Sequence, residues 1–285
     1  NERYLSNATR NRIKKQAKHT VPKVDIGDAE IHYEEAGAGD PIMFVPGLGG
    51  GNGLWVNQIP AFADRYRTIA HDHRGCGEST YSMIEYSVDQ MAADAIRLMD
   101  ALDIERAHWV GHSTGGAMGQ VVAQDYPDRL ASLVLSATWP GQDSYFNRSF
   151  AARKSVLVNQ GTAEYARHSI LTLLPPWYIT RNADKIDVLE GYLAGADQPA
   201  AIMESRIDAI CAFDRRGRMT DIKVPTLVIV AEDDMVTPRY LSDELAENVP
   251  GAEKTVLPTG GHFLMHIDID TYNSTVRDFI DRNPL

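Results

Sequence analysis

Cysteine is nearly absent from this sequence, long apolar runs are missing, and positive charge is in deficit. Only Cys76 and Cys211 occur among 285 residues, which excludes a disulfide framework and predicts a reducing, cytoplasmic location. No apolar run approaches the roughly 18 residues of a membrane span, and the charged N-terminus does not resemble a secretory signal. The net charge of −11 disfavours nucleic acid as a partner.

Positive charge is concentrated at one end of the chain. Residues 1–20 carry six Lys or Arg against one Glu, although the chain as a whole is acidic. We interpret this basic N-terminal arm as a solvated terminus, with a segment that contacts a partner as the alternative.

Short β-rich runs alternate with helical patterns over most of the chain. Continuous apolar runs of this length are typical of strands buried on both faces of a mostly parallel sheet. The stretch "VDIGDAEIHY" predicts a hairpin around Gly27 and Asp28, and Ser87 to Gln90 has the pattern of a capping box before a helix. The alternation predicts an α/β fold with helices on both faces of the sheet. The other predicted strands are 42–45, 67–70, 108–110, 133–135, 226–230 and 255–257.

The alternation stops between about Pro140 and Asp221. That stretch contains helical patterns, a "PPW" break at 175–177 and no convincing strand. We interpret residues 140–221 as a helical cap inserted after the sixth strand, and residues 21–139 with 222–285 as the α/β core. Such caps usually carry substrate specificity.

The stretch "VGHSTGG" at 110–116 places one serine among glycines, after a predicted strand and before a predicted helix. A turn this sharp strains the backbone of its central residue, Ser113, and presents the side chain at the tip. Gly111 and Gly115 remove side chains that would collide there. The hydroxyl would lie at a helix N-terminus, which stabilises negative charge. A glycine-rich helix start that only packs is the alternative.

A serine hydroxyl needs a base to take its proton and an acid to orient that base. The stretch "VIVAEDDMVTP" supplies Asp234 as the predicted acid and Asp233 as the alternative. The stretch "PTGGHFLMH" supplies His262 as the predicted base, with His266 and His112 as alternatives. The order Ser, Asp, His is typical of enzymes with such a serine turn.

An acyl-transfer site also needs backbone donors for the oxyanion. The amide of Thr114, directly after the serine, is one predicted donor. The glycine-rich loop "PGLGGGNGLW" at 46–55 predicts the second, most plausibly the amide of Leu48. Phosphate binding by this loop is disfavoured, because the sequence signatures of phosphate loops are missing.

These residues resemble the functional positions of the α/β-hydrolase fold family. The stretch "DHRGCGES" at 72–79 is similar to a structural turn of that family, so we interpret Cys76 as a packing residue. Over about residues 40–280 the chain looks like a serine-hydrolase branch that contains 3-oxoadipate enol-lactonases and aminoacrylate hydrolases. The similarity extends into the cap, through "RSFAARKSVL" and "RIDAICAFDRR".

The resemblance implies a small acyl substrate that often bears a carboxylate. The cap would then supply a cation, for which Arg148 and Arg153 are candidates, with surface salt bridges as the alternative. Trp139, Tyr145 and Trp177 are candidates for the wall of an apolar substrate pocket, although aromatic side chains of a cap core would give the same pattern.

The sequence therefore predicts a hydrolase with a Ser-His-Asp triad, no cofactor and no metal. Cleavage of an ester or lactone of a small metabolite through an acyl-enzyme is the first expectation. Hydrolysis of an amide or other C–N bond, as in aminoacrylate hydrolases, and C–C hydrolysis use the same residues and stay open. A small-molecule receptor with vestigial hydrolysis is the non-enzyme alternative. The sequence does not decide whether the chain forms a homo-oligomer.

Overall fold

The computed structural model describes residues 22–194 and 199–285, so the basic N-terminal arm lies outside the described residues. The strands of the described part are β1 Lys23–Asp25, β2 Glu30–Ala36, β3 Pro41–Val45, β4 Arg67–His71, β5 Ala107–His112, β6 Leu130–Ser136, β7 Thr226–Ala231 and β8 Glu253–Leu257. They form one sheet in the order β1-β2-β4-β3-β5-β6-β7-β8. Strand β2 pairs antiparallel with β1 and β4, and all later neighbours pair parallel.

Helices connect the strands and cover both faces of the sheet. The α-helices of the described residues are α1 Ile59–Phe62, α2 Val88–Ala101, α3 Thr114–Asp125, α4 Ser144–Gln160, α5 Thr162–Leu173, α6 Pro176–Arg181, α7 Ala183–Ala194, α8 Ala200–Ala212, α9 Arg239–Asn248, α10 Leu264–Ile267 and α11 Ile269–Asp281. No helix in the described ranges combines the length and apolar character needed to cross a membrane.

Side-chain alternation along the strands divides the core into two layers. On β3, Met43 and Val45 pack in the cluster that includes apolar residues of α2, α3 and α9. Ile42 and Phe44 point to the other face and join a cluster with residues of α11. Every residue of β5, β6 and β7 is buried, which explains why these strands are continuous apolar runs in the sequence. The predicted α/β fold with a mostly parallel sheet is confirmed.

Five helices, α4 to α8, lie between β6 and β7, inside the segment 140–221. An isolated bridge between Gly141 and Asp214 joins the points where the chain leaves and re-enters the core. The helices lie after the sixth strand, where the sequence predicts the insertion. The limits 140–221 for a separate cap domain stay a prediction.

Helix α2 begins at the predicted Ser87 cap, but only half of the capping box forms. The Ser87 hydroxyl accepts a hydrogen bond from the Gln90 amide at 3.0 Å. The Gln90 side chain does not return to the cap, and donates instead to the carboxylate of Asp94 one turn later. A capping box needs Gln90 Oε1 as the acceptor of the Ser87 amide, and the bond from Nε2 to the charged oxygen of Asp94 instead orients the side chain along the helix.

Two histidines buried in the sheet predict an acid-labile fold. Burial lowers the pKa of His71 on β4 and of His108 on β5 from 6.5 to about 4. Below about pH 6.5 these histidines are therefore protonated in the unfolded chain but stay neutral in the folded chain. Their contribution to the free energy of unfolding is present above this pH and is lost as the pH falls toward 4. We expect each histidine to lower the free energy of unfolding by about 2 kcal/mol between pH 7 and pH 5.

Urea titrations of the wild type and of His108→Gln at both pH values test this expectation. The variant should lose about 2 kcal/mol less than the wild type between pH 7 and pH 5. An identical loss in both proteins would contradict the assignment of His108 as a group that titrates on unfolding.

Candidate active site

Ser113 lies at the tip of a sharp turn between β5 and α3. Its backbone has φ 53° and ψ −116°, a conformation that a residue with a Cβ rarely adopts. The end of β6 holds the turn in place, since the Ser113 amide donates to the Ser136 carbonyl at 2.8 Å. The Thr138 hydroxyl donates to the Ser113 carbonyl at 2.8 Å. Ser113 is therefore fixed in a strained geometry that presents its hydroxyl.

The two glycines that flank the serine allow strand, helix and neighbouring loop to approach. A Cβ at Gly111 would lie 2.2 Å from the Gly115 carbonyl oxygen. A Cβ at Gly115 would lie 2.2 Å from the Val45 carbonyl oxygen at the end of β3. Both contacts involve backbone, so neither position accommodates a side chain without distorting the turn.

The loop after β7 brings a carboxylate to an imidazole. Asp234 Oδ2 lies 2.9 Å from His262 Nδ1, and both side chains are buried. The other Asp234 oxygen accepts the backbone amides of Val236 and Thr237, at 2.8 and 3.1 Å. The Thr237 hydroxyl donates to Oδ2. These donors hold the carboxylate aimed at the ring, so the tautomer with the proton on Nδ1 is favoured.

Asp233, the alternative acid, has a different position. Its Oδ1 accepts the amides of Gly260 and Gly261, at 2.9 and 2.8 Å, and its Oδ2 accepts the Thr259 hydroxyl at 2.5 Å. These contacts tie down the glycine loop that presents His262. The two adjacent carboxylates therefore have different contacts. Asp233 holds the loop, and Asp234 contacts the imidazole.

Neither alternative histidine meets a carboxylate in the described residues. His112 is buried, with no partner on either ring nitrogen, and its ring lies 4.6 Å from that of His262. Burial holds the pKa of His112 well below 6.5, and the neighbouring His262 and His266 lower it further. His266 approaches Asn57 at 3.1 Å, and burial lowers its pKa to about 4. His112 is therefore a neutral ring packed against His262, and His266 is a neutral ring that packs against Phe263.

His262 leaves one ring nitrogen for a reacting group. The hydrogen bonds that described residues make to it all involve Nδ1, with Asp234 and more distantly with Thr237. Ser113 directly follows His112, whose ring contacts the His262 ring. Ser113 and His262 are 6% and 2% exposed, so both side chains are largely shielded from water.

The glycine-rich loop after β3 forms a tight turn beside the serine. The Gly50 amide donates to the Gly47 carbonyl at 3.0 Å, and the His73 amide donates to the Gly50 carbonyl at 2.8 Å. Leu48 is therefore the second residue of a four-residue turn. A Cβ at Gly47 would lie 3.1 Å from the Ser113 Cβ, so this turn lies directly against the serine. Thr114 is the first residue of α3.

The predicted substrate-binding aromatic residues lie just after β6 and within the segment 140–221. Trp139 is buried, with its ring 4.9 Å from that of Phe146. The Tyr145 hydroxyl donates to the Met235 carbonyl at 2.6 Å, next to Asp234. The Trp177 indole donates to the Thr259 hydroxyl at 3.0 Å, on the loop before His262. Trp139 is therefore a core side chain, whereas Tyr145 and Trp177 contact loops of the candidate site and remain 42% and 38% exposed.

The two candidate arginines differ in environment. Arg148 is exposed, and its Nε reaches the Ser144 hydroxyl at 3.3 Å. Arg153 is 5% exposed and donates to the hydroxyls of Tyr165 and Ser169, both at 3.2 Å. Its Nε is buried without a partner.

Sequence reasoning missed Arg206, which is fully buried on α8 and contacts the Leu48 turn. A single basic residue inside the apolar stretch "AIMESRIDAI" is the only signal that would have indicated it. No group of three or more His, Cys, Asp or Glu side chains in the described residues could hold a metal ion.

Three features lie at the carboxyl edge of this sheet, namely the serine turn, a histidine that contacts a carboxylate, and a glycine-rich turn. Together they are the features of a hydrolase. The alpha/beta hydrolase fold family model matches residues 40–268, and the chain belongs to this family. This confirms the family predicted from the sequence.

Individual proteins of known name or structure are similar to this chain over most of its length. The chain is 37% identical over 259 residues to "Putative carbamate hydrolase RutD" of Azorhizobium caulinodans, a match that covers 91% of this chain and 98% of the relative. It is 33% identical to the protein of the same name from Caulobacter vibrioides, covering 92% and 98%. The enol-lactonase from Burkholderia xenovorans LB400 superimposes with a TM-score of 0.84 at 27% identity, covering 90% of this chain and 99% of that chain.

The two aspartates predict different responses to the same substitution. Asp234→Asn replaces the acceptor at His262 Nδ1 with an amide and favours the wrong tautomer, so we expect kcat to fall about 10⁴-fold. Asp233→Asn keeps an oxygen for the loop amides, and we expect a loss of less than about tenfold with a lower melting temperature. Steady-state kinetics on one ester substrate and thermal unfolding of both variants measure these effects. Equal losses of kcat would contradict the division of roles.

Proposed function

We propose that this protein is a cofactor-independent serine hydrolase that cleaves an ester or lactone bond of a small metabolite through an acyl-enzyme. The observation that carries the proposal is the 2.9 Å contact between Asp234 and His262, on the edge of the sheet where Ser113 projects from a strained turn. A serine, an oriented imidazole and a buried carboxylate form the minimal set for nucleophilic acyl transfer.

In the proposed acylation step, Ser113 Oγ attacks the carbonyl carbon of the substrate while His262 Nε2 accepts the hydroxyl proton. Asp234 stabilises the imidazolium that forms. The negative charge that develops on the carbonyl oxygen is stabilised by the amides of Leu48 and Thr114, each worth about 3–4 kcal/mol in barrier height. Collapse of the tetrahedral intermediate breaks the bond to the leaving group, which takes the proton from His262.

Deacylation uses the same groups in reverse. His262 takes a proton from water, and the resulting hydroxide attacks the acyl-enzyme carbonyl, again with the oxyanion at Leu48 and Thr114. The bond to Ser113 Oγ then breaks, and the oxygen recovers its proton from His262. The products are an acid and an alcohol, and a lactone gives one hydroxy acid, so no cofactor or metal enters the balance.

A second candidate activity is supported by the curated relatives. Two relatives at 37% and 33% identity carry the name of a carbamate hydrolase. A carbamate has the same carbonyl geometry as an ester and a nitrogen substituent on the carbon, so Ser113 could attack it in the same way. Cleavage of a small carbamate or another C–N bond is therefore the alternative to ester or lactone hydrolysis.

We further propose that the substrate carries a carboxylate and that Arg153 binds it. An unpaired buried guanidinium is costly, and among the described residues the Arg153 head group makes hydrogen bonds only with two hydroxyls. An incoming carboxylate could accept from the partnerless Nε and from an Nη group in the bidentate geometry that arginine favours.

Buried aromatic side chains connect the end of β6 to Arg153. Trp139 follows the end of β6, and its ring is the first in a series that continues through Phe146 to Phe150, with centroid separations of 4.9 and 4.5 Å. The Arg153 guanidinium lies 4.8 Å from the centroid of the Phe150 ring. An apolar wall that ends at a cation suits a short acyl chain with a terminal carboxylate. Tyr145 and Trp177 would border this space at the loops of Asp234 and His262.

The receptor alternative differs from an enzyme in turnover. A receptor with vestigial hydrolysis would become acylated and stall, whereas the two half-reactions above return Ser113 to its free form.

We also propose a cytoplasmic location, because both cysteines are thiols rather than disulfide partners.

A fluorophosphonate probe with peptide mapping tests the nucleophile. We expect the label on Ser113 of the wild type and none on Ser113→Ala, because the alanine side chain has no oxygen to phosphonylate. Competition by panels of small esters, lactones and carbamates, each with and without a carboxylate, then ranks the bond classes. Release of product beyond one equivalent per chain separates an enzyme from a receptor.

Two results would contradict the proposal. Full activity of Ser113→Ala on the best substrate would remove the serine from the mechanism. A label on another residue of wild-type protein, with Ser113 unmodified, would do the same. Thermal unfolding of Ser113→Ala should match the wild type or exceed it, since the strain at this residue is kept for the hydroxyl rather than for the fold.

The carboxylate proposal predicts a selective loss of binding. Arg153→Met should raise KM for a carboxylate-bearing substrate about tenfold to a hundredfold, the value of one charge-assisted pair, and leave KM for its neutral methyl ester unchanged. Lys154→Met, one position along the same helix and paired with Asp208 at 2.8 Å, is the matched control. Equal effects of Arg153→Met on both substrates would show that Arg153 only packs.

A further inference from the structure

Arg206 is a buried cation that the mechanism above does not use. It is fully buried on α8, and among the described residues no carboxylate forms an ion pair with it. Arg74, a buried arginine of the core, pairs with the carboxylates of Asp28 and Asp94. A charge that is removed from water without an anion must be held by an arrangement of neutral acceptors.

The acceptors around Arg206 come from the loops next to the serine. Its Nε and Nη2 donate to the Leu48 carbonyl at 3.2 and 3.0 Å, and its Nη1 donates to the Arg74 carbonyl at 3.3 Å. Nη2 also contacts His73 Nδ1 at 2.8 Å. The Tyr86 ring lies 5.6 Å from the guanidinium carbon. One cap side chain therefore joins the loop after β3 to the loop after β4.

The Leu48 carbonyl is the central acceptor of the turn that borders Ser113. The ends of this turn are fixed by the bond from the Gly50 amide to the Gly47 carbonyl and by the bond from the His73 amide to the Gly50 carbonyl. The peptide between Leu48 and Gly49 lies in the middle, flanked by glycines with a wide range of backbone conformations. The paired donors of Arg206 restrain this peptide and, through the backbone of Leu48, limit rotation of the preceding peptide, which carries the Leu48 amide.

We propose that Arg206 is a positioning residue of the reaction, which holds the Leu48 turn against Ser113 so that the Leu48 amide stays aimed at the oxyanion. The inference rests on the proposed serine-hydrolase function. Under this proposal, catalysis requires a side chain of the cap, because Arg206 connects the cap to the Leu48 turn. A cap that shifts away from the core would withdraw Arg206 and loosen the turn.

The state of His73 agrees with this arrangement. Burial lowers the pKa of His73 well below 6.5, and the neighbouring Arg206 and His71 lower it further. A neutral ring that accepts a hydrogen bond at Nδ1 carries its proton on Nε2. The Arg206 guanidinium thus donates to three acceptors, the Leu48 carbonyl, the Arg74 carbonyl and His73 Nδ1, and none of these atoms carries a proton.

The test measures turnover per reactive serine in Arg206→Lys and Arg206→Met. The probes are p-nitrophenyl acetate for turnover and a fluorophosphonate for counting reactive sites and for the rate of serine modification. We expect kcat per labelled site to fall about tenfold to a hundredfold in Arg206→Met, the scale of a small misplacement of catalytic groups. Arg206→Lys, which keeps one charged donor, should lie between Arg206→Met and the wild type.

Two readouts separate positioning from packing. The rate of phosphonylation should fall by the same factor as kcat, because that reaction also develops negative charge on an oxygen at the Leu48 and Thr114 amides, while KM should change less than about threefold. Thermal unfolding and the final number of labelled sites report how much protein is folded. Arg167→Met is the matched control, since Arg167 is a cap arginine that pairs with Glu190 at the surface.

Each outcome decides the inference. Wild-type kcat and phosphonylation rates per labelled site in Arg206→Met would overturn it and leave Arg206 a packing residue. A rise in KM alone would also overturn it, since Arg206 would then bind substrate. If Arg206→Met does not fold, the same comparison uses Arg206→Lys, which keeps the charge buried. Absence of label on wild-type Ser113 would contradict the proposed function itself, a result distinct from these.

Discussion

The contact between the Asp234 carboxylate and His262 Nδ1 depends on burial at both ends. In water an ion–dipole contact of this kind is weak, whereas in a cleft where both groups are almost inaccessible it fixes the tautomer and direction of the ring. The protein surrounds this contact with fixed donors and neutral rings. Thr237 and the backbone after Asp234 hold the carboxylate, and His112 packs against the imidazole as an uncharged neighbour.

The cap contacts each loop of the candidate site through one polar side chain. Tyr145 donates to the backbone beside Asp234, Trp177 donates to the loop before His262, and Arg206 holds the turn of Leu48. Helices of this segment therefore contact all three loops of the candidate site. A change in the cap that alters specificity would also be expected to alter the geometry of the loops beneath it.

Much of the fold follows from local patterns in the sequence. The strands were predictable because continuous apolar runs between turn residues are compatible with little except a strand covered on both faces. The start of α2 at Ser87 follows from its hydroxyl. The partner of the Gln90 side chain did not follow, because its Nε2 group donates to Asp94 and its Oε1 does not accept from the cap amide, an outcome that depends on side-chain geometry.

The roles of site residues were harder to predict from the sequence where two residues of the same type are neighbours. Asp233 and Asp234 are neighbours in one turn, and their side chains take opposite directions only because the loop before His262 lies on one side and its ring on the other. Arg206 is separated from Leu48 by more than 150 positions. No local pattern relates two residues that meet only when the cap closes over the sheet.

The sequence alone determined the succession of strands and helices, the position of the serine between glycines, and the set of carboxylates and histidines at strand ends, because backbone propensity and side-chain period act over a few residues. Tertiary structure alone decided which aspartate faces which histidine, which arginine of the cap is left without a carboxylate, and which one contacts the Leu48 turn. These are contacts between distant segments, and their energies depend on burial and direction, which exist only after the chain has packed.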